Sequence, residues 1–232
     1  MLACLYDVHG NLPALEAVLA DAEAAGASQW ILGGDYASFG AWPVECIERL
    51  RDLEGPAIWI RGNWERWAAH PEQAPADDPV IQAGLAAVRE ALDPTLIRVL
   101  DALPPDARYG EDTLICHGAP GSDMKWILPE PLPTDDDLLA GVPEQRILLG
   151  HTHLQFRRTH GEYEIINPGS VGMPFDADHR AAYALIDTNG ALDLRRVEYD
   201  HLAVAQHLLS LGTEWATGTA KIIEHARFDV RG

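Results

Sequence analysis

Leu2-Ala3-Cys4-Leu5-Tyr6-Asp7-Val8-His9-Gly10-Asn11-Leu12-Pro13-Ala14-Leu15 is the stretch on which the fold turns. The run Leu2–Tyr6 has the length and character of a strand buried on both faces. A polar cluster, Asp7 to Asn11, follows at once. Pro13 then suits the first turn of a helix, and Leu15, Val18 and Leu19 continue it at helical spacing to about Ala25, where Gly26 stops it. The pattern repeats. Gln29–Leu32 reads as a second strand, Pro43–Leu53 as a second amphipathic helix and Ala57–Arg61 as a third strand. Such β-α-β-α-β alternation predicts right-handed crossovers and a parallel core, the mark of an α/β protein.

Four further polar clusters follow apolar, strand-like runs in the same way. They are Gly34-Asp35, Gly62-Asn63-Trp64-Glu65, His117-Gly118 after Thr113–Cys116, and Gly150-His151-Thr152-His153 after Ile147–Leu149. Strand ends in an α/β sheet converge on one edge, where such folds place their chemistry. Two Asp, one Asn and four His delivered there have the composition of a two-metal site. A single D-x-H in a chain with ten histidines would be an ordinary loop. Five such clusters, each at a strand end, are not.

With 232 residues, 47% of them hydrophobic, the chain can bury the core of a single α/β domain. No run approaches the roughly 18 apolar residues of a membrane span, and the N-terminus lacks a signal peptide's basic region and cleavage site. Cys4, Cys46 and Cys116 are odd in number and set in apolar runs, which fits free thiols in a cytoplasmic protein. A net charge of −19 and the lack of a basic stripe oppose general nucleic-acid binding. The same charge makes a cationic, metal-filled cleft the natural place for an anionic substrate.

Residues 64–107 break the α/β rhythm. Val80–Leu92 and Thr95–Leu103 look helical, and the stretch reads as a helical insertion over one side of the site within a single domain, 1–232. Gly118–Pro133 reads as a loop near the metals. From Arg146 onward β-patterns dominate, near 146–150, 154–159, 163–166, 181–187 and 191–199, with Thr188-Asn189-Gly190 as a hairpin turn. Helices at about 201–211 and 214–227 close the chain.

The ordered clusters, with the opening Asp7-Val8-His9-Gly10-Asn11-Leu12-Pro13-Ala14-Leu15 and the late Asn167-Pro168-Gly169-Ser170-Val171-Gly172, resemble the calcineurin-like metallophosphoesterase superfamily, in its small bacterial and archaeal phosphodiesterase-like branch. The resemblance runs from residue 2 to about 187. It implies a four-layer α/β/β/α sandwich of two mixed sheets with a dinuclear centre at the strand ends. Carried over by position, one metal would be held by Asp7, His9, Asp35 and His153, the other by Asp35, Asn63, His117 and His151. Asp35, Asn63, His117 and Asn11 would then be the residues nearest the chemistry.

That ligand set is chemically coherent. A carboxylate with two oxygens lets Asp35 bridge cations about 4 Å apart. Mixed imidazole and oxygen ligation suits divalent transition metals, Mn²⁺ foremost, with Fe²⁺, Zn²⁺ or Ni²⁺ as alternatives. Two divalent cations against two Asp and a bridging hydroxide leave a positive surplus for a phosphodiester anion. The implied reaction is phosphodiester hydrolysis by attack of a metal-bridging hydroxide.

Two residues depart from the family pattern. Trp64 stands where a histidine general acid is frequent, although Glu65 keeps the neighbouring carboxylate, and Tyr6 replaces a small residue before Asp7. His70 is a candidate to replace the missing acid, and Lys125 is the one cation in the loop after His117. Asn11 would contact substrate or orient the first loop, while Thr152 and Asn167 read as turn supports. A Ser hydrolase fails because Pro168, not Gly, lies two positions before Ser170. Gly33-Gly34 lacks the Lys-Ser/Thr of a P-loop. The rival readings are a phosphomonoesterase or protein phosphatase, and a metal-poor scaffold resembling the retromer subunit, for which tryptophans would be interface anchors.

Overall fold

The computed structural model describes residues 1–230. The chain builds two mixed five-stranded sheets. The first is formed by β1 (Leu2–Leu5), β2 (Gln29–Leu32), β3 (Ala57–Trp59), β9 (Ala181–Ile186) and β10 (Leu192–Val197), in the order β10-β9-β1-β2-β3. β1, β2 and β3 run parallel, and β9 pairs antiparallel with β1. The second sheet holds β4 (Asp106–Tyr109), β5 (Thr113–Cys116), β6 (Arg146–Leu148), β7 (Phe156–His160) and β8 (Tyr163–Asn167), in the order β4-β5-β6-β8-β7. Here β5, β6 and β8 are the parallel set.

Period-two alternation explains why every residue of β1 is apolar. Leu2, Cys4 and Tyr6 face the second sheet, in a cluster with Ile31, Ile60, Ile115, Leu148 and Ile166. Ala3 and Leu5 face the helices α1 (Leu12–Ala24) and α2 (Pro43–Arg51), packing with Leu15, Val18, Leu19, Ile47 and Leu50. A strand buried on both faces must be apolar throughout. The outer face of the second sheet (Cys116, Ile147, Leu149, Ile165) is covered by Ile127 and by Leu139 of α6 (Asp135–Leu139). The result is the expected α/β/β/α sandwich.

Three short elements differ from the sequence reading. α3 (Asn63–Ala69) begins inside the third polar cluster, because Glu65 turns back to accept the Gly62 N–H at 2.8 Å and so caps the helix. β4 pairs antiparallel with β5 from Asp106 to Tyr109, where the sequence reading expected a helical insertion to continue to 107. Its half-exposed sequence, Asp-Ala-Arg-Tyr, has no apolar run to announce a strand. The acidic α6 lies in a stretch without a sequence assignment. α4 (Pro79–Ala91) and α5 (Pro94–Asp101) are each capped by an aspartate, Asp78 and Asp93. With α3 they join the cluster on the first sheet's outer face through Trp67, Leu85 and Leu100. α7 (His201–Ser210) and α8 (Glu214–His225) pack on each other, with α8 against α4. No helix among the described residues is long and apolar enough to cross a membrane.

Candidate metal centre and its cleft

The C-terminal ends of the two parallel strand sets meet at one place. Asp7 follows β1, Asp35 follows β2, and Asn63 opens α3 after β3. From the second sheet, His117 follows β5, and His151 and His153 follow β6. Two groups of buried or half-buried side chains form there: Asp7, His9 and His153, and Asp35, His117 and His151, with the ligand-type atoms of each group within 4.8 Å of one another. Asp35 Oδ2 faces both groups, 3.3 Å from His117 Nε2 and 3.9 Å from His9 Nε2. Asn63 Oδ1 lies 3.1 Å from His117 Nε2. All seven residues named from the sequence are therefore neighbours.

Backbone conformation sets them apart. Eight non-glycine residues among those described have positive φ, and five are Asp7 (54°), His9 (48°), Asp35 (56°), His151 (65°) and His153 (57°). The left-handed region costs a non-glycine residue roughly 1–2 kcal/mol, so it persists only where tertiary contacts over-determine it. Those contacts are visible. Glu65 accepts the N–H groups of Asp35 (2.8 Å) and Tyr36 (2.9 Å) as well as that of Gly62. The Asp7 carbonyl accepts from Ser170 Oγ at 2.7 Å, and Asp7 Oδ2 accepts the His151 N–H at 3.0 Å. Asn167 Nδ2 donates to the Gly150 carbonyl at 3.0 Å and to Thr152 Oγ1 at 2.9 Å.

The protonation pattern suits cation binding. His117 Nδ1 lies 2.8 Å from the Gly33 carbonyl, and His153 Nδ1 lies against the Met173 carbonyl. A carbonyl only accepts, so each Nδ1 carries the hydrogen and Nε2 is the atom turned to the centre. Burial would lower His117, but the Asp35 and Asp7 carboxylates outweigh it and raise it to about 10, so a cation would have to displace the proton that His117 Nε2 holds 3.3 Å from Asp35 Oδ2. His9 Nδ1 sits 2.8 Å from Ser38 Oγ, which leaves His9 Nε2 only 3.1 Å from His153 Nε2. Burial holds both His9 and His151 down to about 4, and it holds His153 well below its ordinary value. Three imidazoles are thus kept neutral, as metal ligands must be. Burial likewise raises Asp7, and the Asp35 charge adds to this. Asp7 Oδ1 is fully buried and has no hydrogen-bond partner. An unpaired buried carboxylate oxygen among imidazole nitrogens is a donor set that a cation could complete.

Glycines let the loops approach. A Cβ on Gly62 would lie 2.2 Å from Asp35 Oδ1, and one on Gly33 would lie 2.1 Å from the Tyr6 ring. Tyr6 therefore has a function that the sequence did not reveal. Its ring fills the space between the sheets beside Gly33 and Gly150, and its hydroxyl donates to the Leu148 carbonyl at 3.2 Å.

Four other residues singled out from the sequence are not among those that line the cleft above the centre. Asn11, expected near the chemistry, is a buried helix cap: Oδ1 accepts from Ala14 N at 3.3 Å, and Nδ2 donates to the Gly172 carbonyl and the Tyr199 hydroxyl. Its bonds are spent orienting the first loop. His70 is held outside the cleft, 3.2 Å from Asp101, so it does not replace the missing acid. Lys125 lines a separate hollow with Arg108 and Asp137. Glu65 serves three backbone amides, as described, rather than orienting a histidine.

Above the centre opens a cleft of about 400 Å³. His9, Asp35, Asn63, His151 and His153 line it, together with Trp64, Trp67, Phe39, Ile81, Met124, Trp126, Leu128, Met173 and Phe175. Trp64 packs edge-on to Phe39 (centroids 4.5 Å apart) and Trp67 (5.2 Å), so it forms part of the wall.

Residues 1–191 match the calcineurin-like phosphoesterase superfamily domain. The chain belongs to that superfamily. Its relatives include protein MJ0912 of Methanocaldococcus jannaschii, 28% identical over 219 residues, which are 86% of this chain and 88% of the relative. Phosphodiesterase YfcE of Escherichia coli K12 is 25% identical over 193 residues, covering 79% of this chain and 85% of YfcE. The fold is shared with the crystal structure of a metallophosphoesterase from Sphaerobacter thermophilus, with TM-score 0.82, 24% identity, and 97% and 98% of the two chains covered. Family membership supports a metal-dependent hydrolase of phosphoric esters, acting on small phosphoester substrates.

Proposed function

We propose that the chain is a dinuclear-metal phosphodiesterase. Asp7, His9, Asp35 and His153 would hold one divalent transition metal, and Asp35, Asn63, His117 and His151 the other, with Mn²⁺ the first choice. The observation that carries this reading is the position of Asp35 Oδ2 between the two ligand groups, beside the orphaned Asp7 Oδ1. When bound, such cations supply positive charge to the phosphoryl oxygens and make hydroxide available from water near neutral pH. The chain's own residues hold this arrangement rigid. Glu65 anchors the Asp35 loop, and the Nδ1 bonds of His117 and His153 aim each Nε2. Trp64, Trp67 and Phe39 keep water from one side of the cleft.

A diester is favoured over a monoester by charge. Among the described residues no Lys or Arg lines the cleft, so a monoester's second negative charge would meet no cationic side chain there. The buried free thiols Cys4, Cys46 and Cys116 fit a reducing, cytoplasmic location. Protein loaded with Mn²⁺ should hydrolyse bis(p-nitrophenyl) phosphate faster than p-nitrophenyl phosphate and contain two metals per chain by elemental analysis. Metal uptake without turnover of either ester would favour the scaffold reading. Failure to bind metal would overturn the assignment of the site.

A further inference from the structure

We propose that the cleft selects phosphodiesters that carry one negative charge and one bulky apolar group, aryl or alkyl, and disfavours polyphosphates. The inference rests on the phosphodiesterase reading of the same centre and adds its substrate class.

The cleft has two unlike parts. Its floor holds the candidate ligands, and its walls are aromatic and aliphatic, built from Trp64, Trp67, Phe39, Met124, Trp126 and Phe175. These residues come from the loop after Asp35, from the stretch that begins at Trp64, from the loop after His117 and from the segment after Ser170, so four separate parts of the chain agree on an apolar lining. Trp126 is 60% exposed and Met124 36% exposed at the mouth. Large apolar side chains displayed together at the rim of a catalytic cleft mark a binding surface. The loop that carries them is tied down. Asp123, next to Met124, accepts a two-pronged ion pair from Arg66 of α3, with contacts of 2.6 and 2.8 Å. Arg66 also donates to Gln73 at 2.7 Å, so its charge is engaged beside the cleft and not within it.

Charge completes the argument. Among the described residues, the ionisable side chains lining the cleft are His9, Asp35, His151 and His153, all of them ligand candidates, and none is a lysine or arginine. Beyond the phosphoryl group at the floor, a second phosphate would meet indole and phenyl walls in a protein of net charge −19. Burying an unpaired anion there is costly, while burying a hydrocarbon group is favourable. A volume of about 400 Å³ accommodates a naphthyl or hexyl group together with the phosphoryl centre.

Simple dialkyl and alkyl aryl phosphates with poor leaving groups bind without appreciable turnover, so they test recognition apart from chemistry. Dimethyl, methyl butyl, methyl hexyl and methyl naphthyl phosphate would be measured as competitive inhibitors of bis(p-nitrophenyl) phosphate hydrolysis by the Mn²⁺-loaded protein. The same compounds would be titrated against intrinsic tryptophan fluorescence. A fully buried methylene tightens binding about fourfold. In a cleft with an open mouth, the inhibition constant should fall at least tenfold, roughly, from dimethyl to methyl hexyl phosphate. Inorganic triphosphate should bind no tighter than dimethyl phosphate once free metal is buffered. The alkyl and aryl arms separate lipid-like from aromatic substrates, and a gain along either supports the proposal. Trp126→Ala, at an exposed position that folding tolerates, should shrink the ratio between dimethyl and methyl naphthyl phosphate. Inhibition constants that stay flat along both arms, or that favour triphosphate, would overturn the proposal while leaving the phosphodiesterase intact. If the protein hydrolyses no phosphoester, the fluorescence titration still reads the apolar preference, so the two failures are distinct.

Discussion

Replacing Gly62 with alanine adds one methyl group beneath the candidate metal centre. Gly62 has φ −94°, a conformation open to alanine, so the backbone contributes no penalty of its own. The penalty comes from space. The new Cβ would lie 2.2 Å from Asp35 Oδ1 and 2.8 Å from His117 Cε1. Non-bonded carbon keeps about 3.5 Å from its neighbours, so the Asp35 carboxylate has to retreat by roughly 1 Å. It has little freedom to do so, because Oδ1 is held by the Trp64 N–H at 3.0 Å and the Asp35 N–H is held by Glu65. Overpacking of this kind costs about 1–3 kcal/mol of stability. A misplacement of about 1 Å costs on the order of 10²-fold in rate. Gly62→Ala should therefore lower kcat/KM on bis(p-nitrophenyl) phosphate by about two orders of magnitude at saturating Mn²⁺. Elemental analysis of the same sample should show weakened metal retention. Gly212→Ala is the control. A Cβ there meets no atom within 4 Å, but φ is +67°, so it should lower Tm and leave activity unchanged. Wild-type turnover by Gly62→Ala, with two Mn²⁺ retained, would refute the placement of Asp35 at the reacting centre.

With Trp64 in the cleft wall and His70 bound to Asp101, no carboxyl, imidazole, phenol, thiol or ammonium group beyond the ligand candidates lines the cleft among the described residues. For methyl aryl phosphates the rate should fall steeply as the phenol pKa rises. Trp64→His should flatten that slope, since a general acid is worth about 10²–10⁴-fold on poor leaving groups. A shallow wild-type slope that survives His70→Ala would show that another acid acts. A third prediction concerns stability and pH. Burial raises the Asp21 carboxyl, but hydrogen bonds from Tyr183 Oη and Arg195 outweigh it and hold the group below its usual 3.8. A depressed carboxylate stabilises the fold above its unfolded value and loses that contribution as pH falls through its folded value. Asp21→Asn should lower Tm at neutral pH, and the gap to wild type should narrow below pH 3.8. An equal gap at neutral pH and at about pH 3 would contradict the ion-pair account.

Much of the site was legible because each parallel strand is a short apolar run that stops abruptly at polar residues. Leu2–Leu5, Gln29–Leu32 and Thr113–Cys116 announce themselves, and Asp7, Asp35 and His117 follow within three residues. Elements whose stability comes from distant partners left little trace. β4 is half exposed and owes its existence to β5, and α3 depends on a cap that looks in sequence like part of a polar cluster. Asn11 illustrates the limit for single residues. Asx side chains both cap helices and contact substrates, and only Ala14 N, Gly172 O and Tyr199 Oη show which one this is.

Local order along the chain thus determined the strand ends, the residue types placed there and their likeness to a phosphoesterase. Those depend on hydrophobic runs and turn chemistry a few residues long. Tertiary structure alone decided that Asp35 Oδ2 faces both ligand groups and that Tyr6 fills the gap between the sheets. It also decided that Glu65 holds a loop 30 residues away. The apolar cleft belongs with these, because Trp64, Trp126 and Phe175 share no local pattern. Their meeting is set by the packing of two sheets and an insertion, and long-range packing leaves no period in a sequence for a reader to find.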